Sequence, residues 1–224
     1  MGNNCNGYEE VIEICNCPRL GEPAPDFEAD TTHGIIKLSE YNKDHWVILF
    51  SHPADFTPVC TTEFMAFAEK QEEFDKRKVK LLGLSIDSVY SHIAWVREIE
   101  KMFEVKIKFP IIADIPMEVA HLYSMIQPAI SEVHAIRTVF IIDPQGILKT
   151  MIYYPSSVGR NIDEIIRMID ALQVVEKENV ATPVNWKPGE NVIVPPPKTV
   201  EEAEKTTHGE HEECKNWFLC KKKL

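Results

Sequence analysis

Cys60 is the residue with the most chemistry in reach. It stands in HPADFTPVCTTEF (52–64), between the apolar run HWVILFS (45–51) and a helix-periodic stretch continuing to about Arg77, in which Phe64, Phe67, Ala68, Gln71 and Phe74 share one face. The spacing predicts a strand, a short loop, and a helix whose first turn holds Cys60. Free N–H groups and the positive end of the helix dipole favour thiolate there, which makes the sulfur a nucleophile. Pro53 and Pro58 restrict the loop and shield the sulfur, and Thr57 places a hydroxyl three residues before it. A lone cysteine in such a chain is more often a small core hydrophobe. The polar flank of His52, Thr57, Thr61, Thr62 and Glu63 at a helix start argues for chemistry instead.

The elements that must position this residue follow from changes of period. VKLLGLSID (79–87) reads as a strand, VYSHIAWVREIEKMF (89–103) as an amphipathic helix capped by Ser88, and KFPIIAD (108–114) as a third strand. This βαβ alternation implies parallel pairing. RTVFIIDPQGILKTMIYY (137–154) reads as two strands joined by the turn Asp143-Pro144-Gln145-Gly146, hence an antiparallel hairpin. NIDEIIRMIDALQVV (161–175) is a helix capped by Asn161 with Glu164 three residues on. Residues 1–175 are therefore expected to form an α/β unit with a mixed sheet. Residues 176–224 change character, with Pro183, Pro188 and the run Pro195–Pro197, and only TVEEAEK offers a short helix. Trp186, Ile193, Trp217, Phe218 and Leu219 suggest an arm that docks, with a second subunit as the expected partner.

Composition narrows the function classes. The chain has 224 residues, 44% of them hydrophobic, and its 24 Lys plus Arg against 35 Asp plus Glu give a net charge of −11. An acidic chain argues against a nucleic-acid partner. Apolar runs such as Trp46–Phe50 and Val139–Ile142 fall far short of the roughly 20 residues of a spanning helix, so no membrane partner is expected. MGNNCNGYEEVIEIC lacks the basic start and apolar core of a secretory signal, which predicts a cytoplasmic location. Six cysteines in a cytoplasmic chain point to redox chemistry or metal rather than a disulfide scaffold.

Pro53-xxx-Thr57-xx-Cys60, within FSHPADFTPVCTTEF, resembles the signature of the peroxiredoxins, in particular their long-chain, one-cysteine-like subfamily. LGEPAPDFEADTTHG, LLGLSIDSVYSHIAWVREI, FPIIAD, IRTVFIIDP, GRNIDEIIRMIDALQ and TPVNWKPGENVIVPPP resemble further segments of it, in order. The resemblance implies a thioredoxin-like mixed sheet flanked by helices and a C-terminal dimerisation arm, with higher rings of dimers. It implies reduction of hydrogen peroxide and small alkyl hydroperoxides through a sulfenic acid on Cys60, without a cofactor or metal. On it, Cys60 matches the peroxidatic cysteine, Thr57 the peroxide-binding hydroxyl and Pro53 the shielding residue. Arg137 matches the active-site arginine, Arg160 a second arginine and His52 a pocket histidine. A guanidinium beside the sulfur stabilises thiolate and the departing oxyanion, and Glu63 is suited to orient an arginine.

CKNWFLC (214–220) resembles the cysteine-containing end of archaeal thioredoxin peroxidases. That implies Cys220 or Cys214 of a partner chain as resolving thiol, with a thioredoxin-like or other thiol reductant downstream. Two alternatives remain open: a one-cysteine cycle with an external thiol, and zinc on His208, His211, Cys214 and Cys220. Cys5, Cys15 and Cys17 carry no assigned role. From outside enzymology the rival is a thioredoxin-fold binding or chaperone protein, against which Pro53, Thr57, Cys60 and Arg137 weigh together. Asn42–Trp46 holds no Gly-x-Ser-x-Gly elbow, so no phospholipase activity is expected.

Overall fold

The computed structural model describes residues 17–206 and 213–224. Its centre is β3 (Trp46–Ser51), buried at every position because both sheet faces are covered. β4 (Val79–Ser85) lies parallel beside it and β5 (Ile111–Ala113) parallel beside β4. On the other side, β6 (Arg137–Ile142) runs antiparallel to β3, and β7 (Leu148–Tyr154) returns antiparallel at the edge. Asp143 ties that hairpin turn, its Oδ1 accepting from the Gln145 and Ile147 N–H groups at 2.9 and 2.8 Å. β1 (Glu28–Thr31) and β2 (Gly34–Lys37) form a second hairpin that completes a seven-stranded sheet, ordered β2-β1-β5-β4-β3-β6-β7. That hairpin is not anticipated from the sequence.

The helices cover the faces. The single helix expected up to Arg77 is two: α2 (Pro58–Glu69) and α3 (Gln71–Lys76), separated at Lys70, whose ψ of 6° interrupts the helical path. Phe64 and Phe67 of α2 and Phe74 of α3 are nonetheless all buried, so the apolar face survives the break. α4 (Val89–Phe103) has the expected bounds, with Ser88 Oγ accepting from the Ser91 N–H at 3.2 Å. α6 (Ile162–Glu178) begins at the expected Asn161 cap and runs past residue 175. Short helices α1 (Leu38–Tyr41) and α5 (Glu118–Leu122) are not anticipated from the sequence. One core packs Phe50, Phe64, Phe67, Trp95 and Ile165 on one sheet face, and a second packs Leu49, Tyr123 and Phe140 on the other.

The tail is more ordered than an extended arm. β8 (Val192–Ile193), α7 (Val200–Thr206), β9 (Glu213–Asn216) and β10 (Leu219–Lys222) follow α6, and the three strands form a sheet ordered β8-β10-β9. Trp186, expected at a subunit interface, is buried within its own chain against Ala171, Val180 and Val192. Its indole N–H donates to the Glu190 carbonyl at 3.1 Å, which satisfies the one polar atom such burial would strand. No helix among the described residues is long and apolar enough to cross a membrane.

Candidate active site

β3 delivers the chain to the site at Ser51, and α2 starts seven residues later with Pro58 in its first turn, where the missing N–H costs nothing. Cys60 is completely buried in that turn. Thr57 is the N-cap residue with extended backbone, but its hydroxyl donates back to the Ala54 carbonyl at 2.9 Å rather than capping the helix. Its proton is thereby committed and its lone pairs stay free. Beside α2 and α4 runs an open, apolar groove of about 500 Å³, with Phe56, Pro58, Met65, Trp95 and Met102 among its walls.

Arg137, at the start of β6, reaches the sulfur: its Nη1 donates to Cys60 Sγ at 3.2 Å and to Glu63 Oε2 at 2.7 Å, while Nε donates to the Ser156 carbonyl at 3.0 Å. Glu63 lies one turn beyond Cys60 on α2. It also takes a bidentate contact from Arg160, with Nε on Oε1 at 2.9 Å and Nη2 on Oε2 at 2.7 Å, and the Arg160 backbone N–H on Oε1 at 2.8 Å. Arg160 Nη1 donates to the carbonyls of Ser51 and Thr138, both at 2.9 Å, locking the guanidinium to the ends of β3 and β6. All three charged side chains are buried. Two guanidinium groups against one carboxylate leave one uncompensated positive charge beside the sulfur.

His52 is also buried, but its ring sits on the apolar side of the site, 4.7 Å from the Phe64 ring and 5.2 Å from Trp95. Its one side-chain hydrogen bond joins Nε2 to Asp55 Oδ1 at 2.9 Å, so the structure does not bring it to Arg137 or to the sulfur through a hydrogen bond. Asp55 Oδ2 in turn faces His92 Nδ1 at 2.8 Å. Sequence reasoning missed Asp55 and His92. Both stand in segments carrying the resemblance, yet only the packing of α4 against the loop reveals that they meet.

Cys214 and Cys220 are joined to each other as a disulfide between β9 and β10, with Trp217 and Phe218 exposed at the hairpin tip. In this state neither offers a thiolate to zinc, and His208 and His211 lie outside the described residues, as do Cys5 and Cys15. Cys17 is exposed.

The chain is similar to known proteins over most of its length. Residues 20–151 match the AhpC/TSA family, and residues 171–209 match the C-terminal domain of 1-Cys peroxiredoxin. A peroxiredoxin of Aquifex aeolicus is 55% identical over 95% of this chain and 100% of its own length, and one of Methanosarcina mazei is 55% identical over 92% and 98%. Among solved structures, a yeast mitochondrial 1-Cys peroxiredoxin superposes with a TM-score of 0.81 at 44% identity, covering 92% of this chain and 99% of that one. A mutant of the peroxiredoxin 6 of Arenicola marina gives a TM-score of 0.81 at 38% identity, covering 92% and 98%. With a thiol buried at a helix start under an arginine, a thioredoxin-like sheet behind it and relatives matched end to end, this chain belongs to the peroxiredoxin family of thiol-dependent peroxidases.

Proposed function

We propose that Cys60 is the peroxidatic cysteine and that hydrogen peroxide and small alkyl hydroperoxides are its substrates. The observation that carries this reading is the 3.2 Å contact between Arg137 Nη1 and Cys60 Sγ, backed by the Glu63–Arg160 pair. The thiolate attacks one peroxide oxygen, the O–O bond breaks, and the sulfur becomes a sulfenic acid while the other oxygen departs as hydroxide or alkoxide and takes a proton. Arg137 stabilises the departing charge from a fixed position, and the free lone pairs of Thr57 are available to accept from the peroxide O–H. Pro53 and Pro58 limit access to small substrates. His52 shapes the apolar side of the pocket, and Arg160 and Glu63 orient Arg137.

For resolution, a tail thiol of the partner subunit condenses with the sulfenic acid and releases water. Cys220 forms that intersubunit bond, and Cys214 then attacks Cys220, which frees Cys60 as thiolate and leaves the tail as the Cys214–Cys220 disulfide. The existing bond between these two residues supports the second exchange. A thioredoxin-like dithiol acting at the exposed hairpin reduces the tail. In this reading residues 1–175 make up the peroxidase body, and the arm of 176–224 joins two chains into a dimer, the unit of higher rings. A one-cysteine cycle is the second reading, favoured by the match of residues 171–209 to the C-terminal domain of 1-Cys peroxiredoxin. In the yeast mitochondrial relative, thiol resolution runs via glutathione/thioredoxin systems.

Single-turnover peroxide consumption tests the first step: Cys60→Ser abolishes it, and consumption persisting in that variant defeats the assignment. The paired change Cys214→Ser with Cys220→Ser then separates the cycles. It leaves the first step intact and stops thioredoxin-dependent turnover if the tail resolves, whereas undiminished turnover supports the external thiol.

A further inference from the structure

Asp55 and His92, two members of one buried cluster, play no part in the chemistry above. Asp55 lies in the loop leading to α2, with Oδ1 2.9 Å from His52 Nε2 and Oδ2 2.8 Å from His92 Nδ1, all three residues being buried. The hydrogen bonds fix the protons. Burial alone would raise the Asp55 carboxyl, but the hydrogen bonds from His52 and His92 outweigh it and hold the group well below the usual carboxylate range. Asp55 is therefore ionised. His92 faces that carboxylate at Nδ1 and the Ile112 carbonyl at Nε2, 3.1 Å away, so both of its ring nitrogens are engaged. His52 donates from Nε2, which leaves its Nδ1 without a partner. By residue type the three could ligate a metal, but every atom facing into the cluster is already in a hydrogen bond.

What this hydrogen-bonded pair joins is informative. Asp55 is on the loop, His92 on the first turn of α4, and Ile112 on β5. The Asp55 backbone N–H also donates to Asp87 Oδ2 at 2.9 Å, an atom held by Ser85 Oγ at 2.8 Å at the end of β4. The loop is thus fastened to parts of the sheet that need not move when the start of α2 moves. The completely buried sulfur of Cys60 meets a second sulfur only if that start opens, because a disulfide brings two Cα atoms within about 7 Å.

We propose that the buried, hydrogen-bonded Asp55–His92 pair is a latch. It holds segment 52–60 in the closed form, where Cys60 meets peroxide, against an open form, where Cys60 meets a thiol. Removing His92 leaves the buried Asp55 carboxylate without a partner at Oδ2, and opening the loop to water relieves it. If the open form is about 1% populated, a tenfold rise still leaves about 90% closed. A latch variant therefore accelerates reactions of the open form and barely changes those of the closed form. Mere damage to the site slows both, so the two rates distinguish a positioning role from a structural one. The inference rests on the proposed reading of Cys60 as a residue that reacts in both forms, but it does not depend on which thiol resolves it.

The test uses the full chain with Cys5, Cys15, Cys17, Cys214 and Cys220 changed to Ser, so that Cys60 is the sole thiol. Labelling by a bulky maleimide reads the open form, and single-turnover oxidation by hydrogen peroxide reads the closed form. His92→Phe is expected to label at least tenfold faster than this parent while keeping at least half its oxidation rate. Asp55→Asn can keep both side-chain hydrogen bonds, its amide N–H donating to His92 Nδ1 and its carbonyl accepting from His52 Nε2, and removes only the charge. It folds on that account and is expected to label faster than the parent but more slowly than His92→Phe, so it carries the test should the phenylalanine variant not fold. Labelling unchanged in both variants, or labelling and oxidation falling together, overturns the latch. Loss of oxidation in the parent itself defeats the Cys60 assignment and is read separately.

Discussion

Glu63 is the residue on which the electrostatics of the site turn. Its carboxylate accepts from Arg137 Nη1 and from Arg160 Nε, Nη2 and backbone N–H, so it divides one negative charge between two buried cations. Glu63→Gln keeps the volume and one acceptor but strips the charge, leaving two guanidinium groups facing each other without a counter-ion. Breaking a buried pair from one side costs about 3–5 kcal/mol. The variant is expected to lose stability on that scale in denaturant titration and to react with peroxide at least tenfold more slowly, because Arg137 loses its fixed orientation. Unchanged stability would show that the network is solvated. The sequence made Cys60 and Thr57 legible because they lie at the start of a helix whose period can be read, and Arg137 because IRTVFIIDP resembles a segment of the family. It could not show that the Thr57 hydroxyl turns back to Ala54, or that Asp55 meets a histidine 37 residues away. Such contacts are set by packing, which leaves no periodic trace.

Among the elements, α2 sits on the sheet through Phe64, whose ring lies against β4 where that strand has no side chain. A Cβ added at Gly83 would stand 3.2 Å from Phe64 Cζ and 3.5 Å from Phe50 Cζ. Neither ring has room to retreat, since Phe64 also packs on Trp95 at 4.7 Å and Phe50 stacks on Phe67 at 4.2 Å. Gly83→Ala is therefore expected to destabilise the fold by about 1–3 kcal/mol, the usual range for overpacking a close-packed core. It should also reduce peroxide reactivity by displacing the helix that holds Cys60. A wild-type denaturation midpoint would mean that α2 shifts without cost. Among the helices, the long periodic α4 and α6 are read with correct starts, and each has a side-chain cap that the sequence displays in Ser88 and Asn161. The elements missed are short and stabilised from outside. β1 and β2 pair across a turn at Gly34, whose φ is +92°, and the strands of the tail find partners only once α6 and Trp186 bring the chain back.

The whole molecule carries the sum of these local charges into its response to pH. Burial, opposed by the hydrogen bond to Asp55, keeps His52 below the ordinary histidine value of 6.5, so the native site holds it neutral. The unfolded chain takes up a proton there as pH falls through about 6.5, and it then binds more protons than the native state. Stability from this residue is complete above that value and is lost on acidification. Asp55, held low in the native state, acts in the same direction in a lower window: its contribution is present above the ordinary carboxylate value and disappears as pH falls through its depressed native one. The melting temperature of the wild type is expected to fall further from pH 7.5 to pH 5.5 than that of His52→Gln. An equal drop in both proteins would rule out the buried, neutral state of His52.

Rapid-quench mass spectrometry of the reduced full chain after one equivalent of hydrogen peroxide bears on both halves of the cycle, Cys60 as the residue that meets peroxide and the tail as the residue pair that clears it. Three species are expected in a fixed order: one added oxygen on the Cys60 peptide first, then a disulfide between the Cys60 peptide of one chain and the Cys220 peptide of another, and finally reduced Cys60 with Cys214 joined to Cys220. Oxidation appearing first on any other cysteine, or Cys214 joined to Cys220 before Cys60 has gained an oxygen, would defeat that order and the assignment of Cys60 with it.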